Sequence, residues 1–247
     1  MSKKYMFILI TYLAMQLSGI VGMPIFYIIG MSISDLPSQE IEALAKAYWL
    51  VFSFTVGLII ILLLLKNAKP VTKIDKEPPL SIGLSILLSV GGIFLAFFAQ
   101  IFAVLLETSL GIEPGSENTE AIIGIITVLP LVMLVSSIFG PILEEIVFRK
   151  IIFGGLNNKF SFVISALISS IIFAIAHMDF THIILYTAMG FTFAFLYSMT
   201  KRIIVPIISH VMMNTLVVLM QYLFKDDLEK YIQEAEKVQS FIGGFFS

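Results

Sequence analysis

Long uncharged apolar runs alternate with short polar connections along this chain. The runs extend over Tyr5–Ile29, Tyr48–Leu65, Leu80–Leu106, Ala121–Leu143, Phe160–Ala176, Ile183–Thr200 and Ile203–Phe224. A hydrocarbon core of about 30 Å takes about 20 helical residues at about 1.5 Å each. The pattern therefore predicts an all-α polytopic membrane helix bundle of about seven transmembrane helices, six to eight allowing for boundary error. The first run carries no charge and no clear small-residue cleavage site, so it is expected to be a retained span. Residues 225–247 are polar and apolar by turns, as in a tail or an amphipathic helix on the membrane surface. No internal repeat divides the chain, which reads as a single integral membrane domain, residues 1–247.

Composition agrees with this pattern. Of 247 residues 58% are hydrophobic and 13% charged, with a mean hydropathy of +1.00, far from the balance of a soluble domain. A net charge of −2 offers no basic surface to neutralise phosphates, so nucleic acid is excluded as a partner. The absence of cysteine removes disulfides, thiolate nucleophiles and cysteine metal sites. Basic residues fall in alternate connections: Lys3 and Lys4, then Lys66 to Lys76, then Arg149, Lys150 and Lys159, then Lys201 and Arg202. The intervening stretch from Glu107 to Glu120 holds four glutamates and no base. The positive-inside rule then predicts a multi-pass cell-membrane protein with a cytoplasmic N-terminus.

Against this background Glu144 and Glu145 stand out. An ionised side chain at bilayer depth costs roughly 2.5–3.5 kcal/mol even on lenient scales. Gly140-Pro141 is expected to end one helix and open another, setting both glutamates near a helix N-terminus whose dipole favours carboxylates. Glu145 and Arg149 are four apart and pair on one face, whereas Glu144 points about 100° away, over Phe148. Glu145 is then the structural partner and Glu144 the freer carboxylate. The competing reading is a solvated interfacial face beside a positive-inside anchor.

Phe173 and His177 share a helical face, as do His210 and Asn214. Each pair alone fits interhelical hydrogen bonding or an interfacial histidine equally well. Together the motifs bring a carboxylate, two imidazoles and an amide to three helices, the parts that activate water and stabilise an oxyanion. No Gly-x-Ser-x-Gly, His-Glu-x-x-His or cysteine is present for the competing hydrolase chemistries.

Glu144-Glu145-x-x-x-Arg149, Phe173-x-x-x-His177 and His210-x-x-x-Asn214, in this order, resemble the motifs of the CPBP family, the CAAX proteases and bacteriocin-processing enzymes also called Abi proteins. The resemblance implies a CPBP-type intramembrane glutamate protease needing no cofactor or metal. Glu144 with His177 would activate water, and His210 with Asn214 would stabilise the oxyanion. Glu145, Arg149, Phe148 and Phe173 would support them. The substrate would be a peptide or a membrane-anchored protein, in bacterial peptide maturation or bacteriocin-related processing. Residues 1–119 would be accessory spans, 120–224 the catalytic core in the C-terminal four helices, and 225–247 a tail. Alternatives are a catalytic divalent metal on Glu144, His177 and His210, a non-catalytic scaffold or immunity protein, and a proton-coupled transporter, which the lack of paired repeats disfavours.

Overall fold

A computed structural model describes residues 2–66 and 68–224; the expected tail, 225–247, lies outside them. The described residues form an all-helical membrane bundle. The first expected span is a bent pair, α1 (Lys3–Leu17) and α2 (Gly19–Ile33), meeting at 45°. A Ser-Gly pair occupies the bend, and the Ser18 hydroxyl donates to the Met15 carbonyl at 2.6 Å, so the regular ladder is interrupted there. Gly22 has no Cβ where the Trp49 indole lies against the backbone of α2, which lets α2 and α3 (Ser38–Lys66) approach closely. α3 begins well before the expected Tyr48, and its first turns carry an exposed Glu42–Lys46 pair at 2.7 Å.

Four helices are long and apolar enough to cross unaided: α3, α5 (Ile82–Ser109), α11 (Ile183–Thr200) and α12 (Ile204–Leu223); the bent pair makes a fifth. The expected span Phe160–Ala176 is the shorter α10 (Phe162–Ala176). Side chains such as Phe94, Phe98 and Ile101 on α5 are exposed, as a lipid-facing surface requires.

The expected span Ala121–Leu143 does not form as one helix. α6 (Glu117–Val128) stops at Leu129, whose extended backbone precedes Pro130. A new helix then runs without interruption through 132–156: α7 (Val132–Leu134), a π-helical segment (Val135–Phe139), α8 (Gly140–Glu144), a second π-helical segment (Glu145–Phe153) and α9 (Gly154–Leu156). Gly140-Pro141 therefore lies inside a helix, and the glutamates sit mid-helix, away from the N-terminal dipole expected for them. The π register is the physical reason. Its wider turn bonds Gly140 N–H to the Val135 carbonyl, displacing the carbonyls that a proline ring would strike in an α-helix.

The connections expected to share one membrane side do meet. The single turn α4 (Lys73–Lys76) starts with a capping box between Thr72 and Asp75. The Asp75 carboxylate, 6% exposed, takes Lys150 Nζ at 2.5 Å, the Tyr197 hydroxyl at 3.2 Å and the Tyr5 hydroxyl at 3.0 Å. Lys201 pairs with Glu77 at 2.9 Å, and Arg202 Nε donates to the Leu80 carbonyl at 2.8 Å. One carboxylate thus pins α1, the composite helix and α11 at the basic end of the bundle. Burial pushes its pKa up, but the hydrogen bond and charge of Lys150, with Thr72 and Tyr5, prevail and hold it below the usual carboxylate range. A lowered folded-state pKa stabilises at pH above the unfolded value of about 3.9 and is lost as pH falls through the folded one. Asp75→Asn is therefore expected to lower thermal stability at pH 7, with the difference shrinking progressively as pH falls below about 3.9. Melting curves of the two proteins in detergent across pH test it; a gap independent of pH would refute the charge-based account.

Candidate active site

The site forms where the middle of the composite helix faces α10, α11 and α12. Glu145 and Arg149 are both buried, at 0% and 1% side-chain exposure, with Arg149 Nη1 3.2 Å from Glu145 Oε1. This is the i, i+4 pair expected from spacing. Its contact is between charges and not a well-aligned hydrogen bond: neither Arg149 Nη atom has a hydrogen-bond partner among the described residues, and Glu145 Oε2 has none. The guanidinium instead lies over aromatic rings, 4.1 Å from the Phe173 centroid and 5.4 Å from that of Phe193, where ring quadrupoles favour a cation. Phe148 packs edge-on against Phe173 at 5.2 Å and against Tyr12 of α1 at 5.8 Å.

His210 joins this pair to the second glutamate. Its Nδ1 is 2.8 Å from Glu145 Oε1, its Nε2 is 3.8 Å from Glu144 Oε2, and its ring stacks on Phe193 with 4.5 Å between centroids. The shorter distance is a hydrogen bond and the longer one is not. Glu144 is the more accessible carboxylate, at 18% exposure.

One turn beyond His210, Asn214 Nδ2 donates to the Ser136 carbonyl at 3.3 Å. The chemistry of Pro141 explains this bond. In the π register the Ser136 carbonyl would accept from residue 141, which is proline and has no N–H. Asn214 takes up the orphaned acceptor and ties α12 to the composite helix, and among the described residues its second amide hydrogen has no partner.

His177 is the C-cap of α10, and the next residue, Met178, has φ +57°. That left-handed turn ends the helix at the imidazole. His177 Nδ1 lies 2.8 Å from the Phe173 carbonyl. A carbonyl only accepts, so Nδ1 carries the hydrogen and the neutral ring keeps its lone pair on Nε2. Glu144 is close enough to interact electrostatically with both His177 and Tyr186. Among the described residues no three histidine, aspartate or glutamate side chains converge as a metal would require.

Seven of the eight candidate positions are linked by these contacts, and Asn214 sits one turn from His210 on α12. Sequence reasoning missed Tyr186, stacked on His177 at 4.2 Å, Phe193 beneath His210, and Tyr12, which brings an N-terminal helix to the site. A signal was present for two of them: Tyr186 and Phe193 are seven apart on α11 and share its inward face.

Residues 126–216 match the Rce1-like family, described as type II CAAX prenyl endopeptidase Rce1-like. The chain is 47% identical over 248 residues to the "Putative membrane peptidase YdiL" of Bacillus subtilis (strain 168), covering 100% of both chains. It is 40% identical over 185 residues to the "Membrane-embedded CAAX protease MroQ" of Staphylococcus aureus (strain USA300), covering 71% of this chain and 74% of that one. No solved structure matches. With motifs, membrane-helix architecture and full-length similarity in agreement, the chain belongs to the Rce1-like family of CAAX endopeptidases.

Proposed function

We propose that this protein is an intramembrane glutamate endopeptidase of the cell membrane that cleaves a peptide or a membrane-anchored protein. The observation that carries the reading is the division of labour between the adjacent carboxylates: Glu145 is buried and paired, whereas Glu144 is more accessible and lacks a direct hydrogen bond to His210. In the proposed reaction Glu144, aided by the free Nε2 of His177, takes a proton from water as the oxygen adds to the scissile carbonyl. The proton then passes to the departing amine as the C–N bond breaks. His210 and the free amide hydrogen of Asn214 stabilise the oxyanion. For His210 to donate from Nε2 while Nδ1 donates to Glu145, the ring must be the imidazolium in that step. The Glu144–His210 gap of 3.8 Å suits an oxygen lying beside both groups at ordinary hydrogen-bond lengths.

The basic end of the bundle, where the N-terminal Tyr5 also lies, is assigned to the cytoplasm by the positive-inside rule. The relatives are bacterial and are named as a membrane peptidase and a CAAX protease; bacterial peptide maturation is the setting proposed for the reaction. The test is a mass-spectrometric comparison of peptides released by cells carrying the wild-type protein or Glu144→Gln. Fragments confined to the wild type, their yield unchanged when purified enzyme is assayed with a strong chelator, are expected. Identical peptide sets from both strains would favour a non-catalytic scaffold instead.

A further inference from the structure

We propose that Tyr186 is a positioning residue for His177, held in register by the start of α6, so that a segment preceding the family-matched region helps set the site geometry. The inference rests on the reading of His177 as the partner of Glu144.

The imidazole needs such support because of where it stands. His177 closes α10, and the left-handed Met178 after it turns the chain away, so no further helical turn packs around the ring. Its own hydrogen bond to the Phe173 carbonyl fixes one edge. Tyr186 covers a face, with centroids 4.2 Å apart and planes inclined by 29°, while Phe173 meets the ring edge-on at 4.4 Å. The stack limits rotation of the ring about its last side-chain torsion, which is otherwise broad.

Tyr186 is itself tethered at its polar end. Ser116 Oγ donates its one hydrogen to Asp179 Oδ2 at 2.7 Å. The 3.1 Å contact between Ser116 Oγ and the Tyr186 hydroxyl must then be donated by the tyrosine. Asn118 Nδ2 approaches the same hydroxyl at 3.5 Å. Asp179 lies in the connection that follows His177 and also accepts from the His182 N–H at 3.4 Å. Buried Glu107 of α5 braces the next turn, with Oε1 accepting from Leu185 N–H at 3.0 Å and Oε2 2.9 Å from His182 Nδ1. Ser116 and Asn118 precede residue 126, where the family match begins. The chain thus runs from helix to helix, ending on the imidazole: Asp179, Ser116, Tyr186, His177.

The experiment measures kcat and KM of purified variants against one cleaved peptide, alongside their melting temperatures. Tyr186→Leu is expected to lower kcat about 100-fold, the scale of a misplacement of about 1 Å, with KM nearly unchanged. Tyr186→Phe, which keeps the stack, should recover most of that loss. In the His177→Ala background Tyr186→Leu should cost nothing further, because it acts through the lost imidazole. Should Tyr186→Leu fail to fold, Ser116→Ala, which leaves the ring and cuts its tether, carries the test with an expected loss of roughly 3- to 10-fold in kcat. If His177→Ala is inactive while Tyr186→Leu or Ser116→Ala keeps wild-type kcat, the positioning role is overturned and the proposed site stands. If His177→Ala itself keeps wild-type kcat, the reading of the site fails and this inference with it.

Discussion

Glu144→Gln is expected to lower kcat for peptide cleavage by about 10²- to 10⁴-fold, the contribution of a general base, with KM and melting temperature close to wild type. The amide has the shape of the carboxylic acid and keeps its hydrogen-bonding reach, but it cannot take a proton from water. Stability should survive because Glu144 is not the partner of buried Arg149 and makes no direct hydrogen bond to His210, whose Nε2 is 3.8 Å away. Steady-state kinetics and thermal unfolding of the same purified sample decide the matter. Wild-type turnover would remove Glu144 from the chemistry, and collapse of the fold would make Glu144 a structural residue like its neighbour Glu145.

The pairing of Glu145 with Arg149 was legible in the sequence because it depends on local geometry. Four residues bring Glu145 to Arg149 whether the turns between them are α- or π-helical, and the ion pair is found. The register of the backbone was not legible. Pro130 and Pro141 look alike as helix breakers, yet only the first breaks the chain. Leu129 before Pro130 is driven into extended backbone, as the clash between a proline ring and the preceding Cβ demands. Gly140 before Pro141 has no Cβ to clash and stays helical at φ −55°. The π turns then absorb the remainder of the conflict.

Contacts between distant segments were beyond reach for a related reason. Sequence spacing places His210 and Asn214 on one helical face, but not opposite what. The oxyanion role implied for them by family resemblance gives no hint that Asn214 satisfies a carbonyl freed by Pro141, or that His210 binds Glu145. Tyr12 comes from an apolar run in which aromatic residues are ordinary lipid-facing or packing material. Only tertiary packing sets it apart.

Glu145→Ala is expected to cost about 3–5 kcal/mol of stability, because removing one member of a buried ion pair strands the other. Arg149, 1% exposed, would keep its charge with aromatic faces but no anion of its own, and His210 Nδ1 would lose its 2.8 Å acceptor. The loss should appear as a lower melting temperature and faster proteolysis in detergent, with activity falling alongside. The paired substitution separates the two consequences. Glu145→Leu with Arg149→Met removes both charges and fills the space with apolar volume, so stability should return to near wild type, since apolar replacements of buried ion pairs are often neutral or better. Activity should not return with it, because His210 still lacks the carboxylate that orients its imidazole toward Glu144. A double variant restored in both respects would mean that Glu145 serves folding alone, and Glu145→Ala with an unshifted melting temperature would mean that the pair does not hold the bundle together.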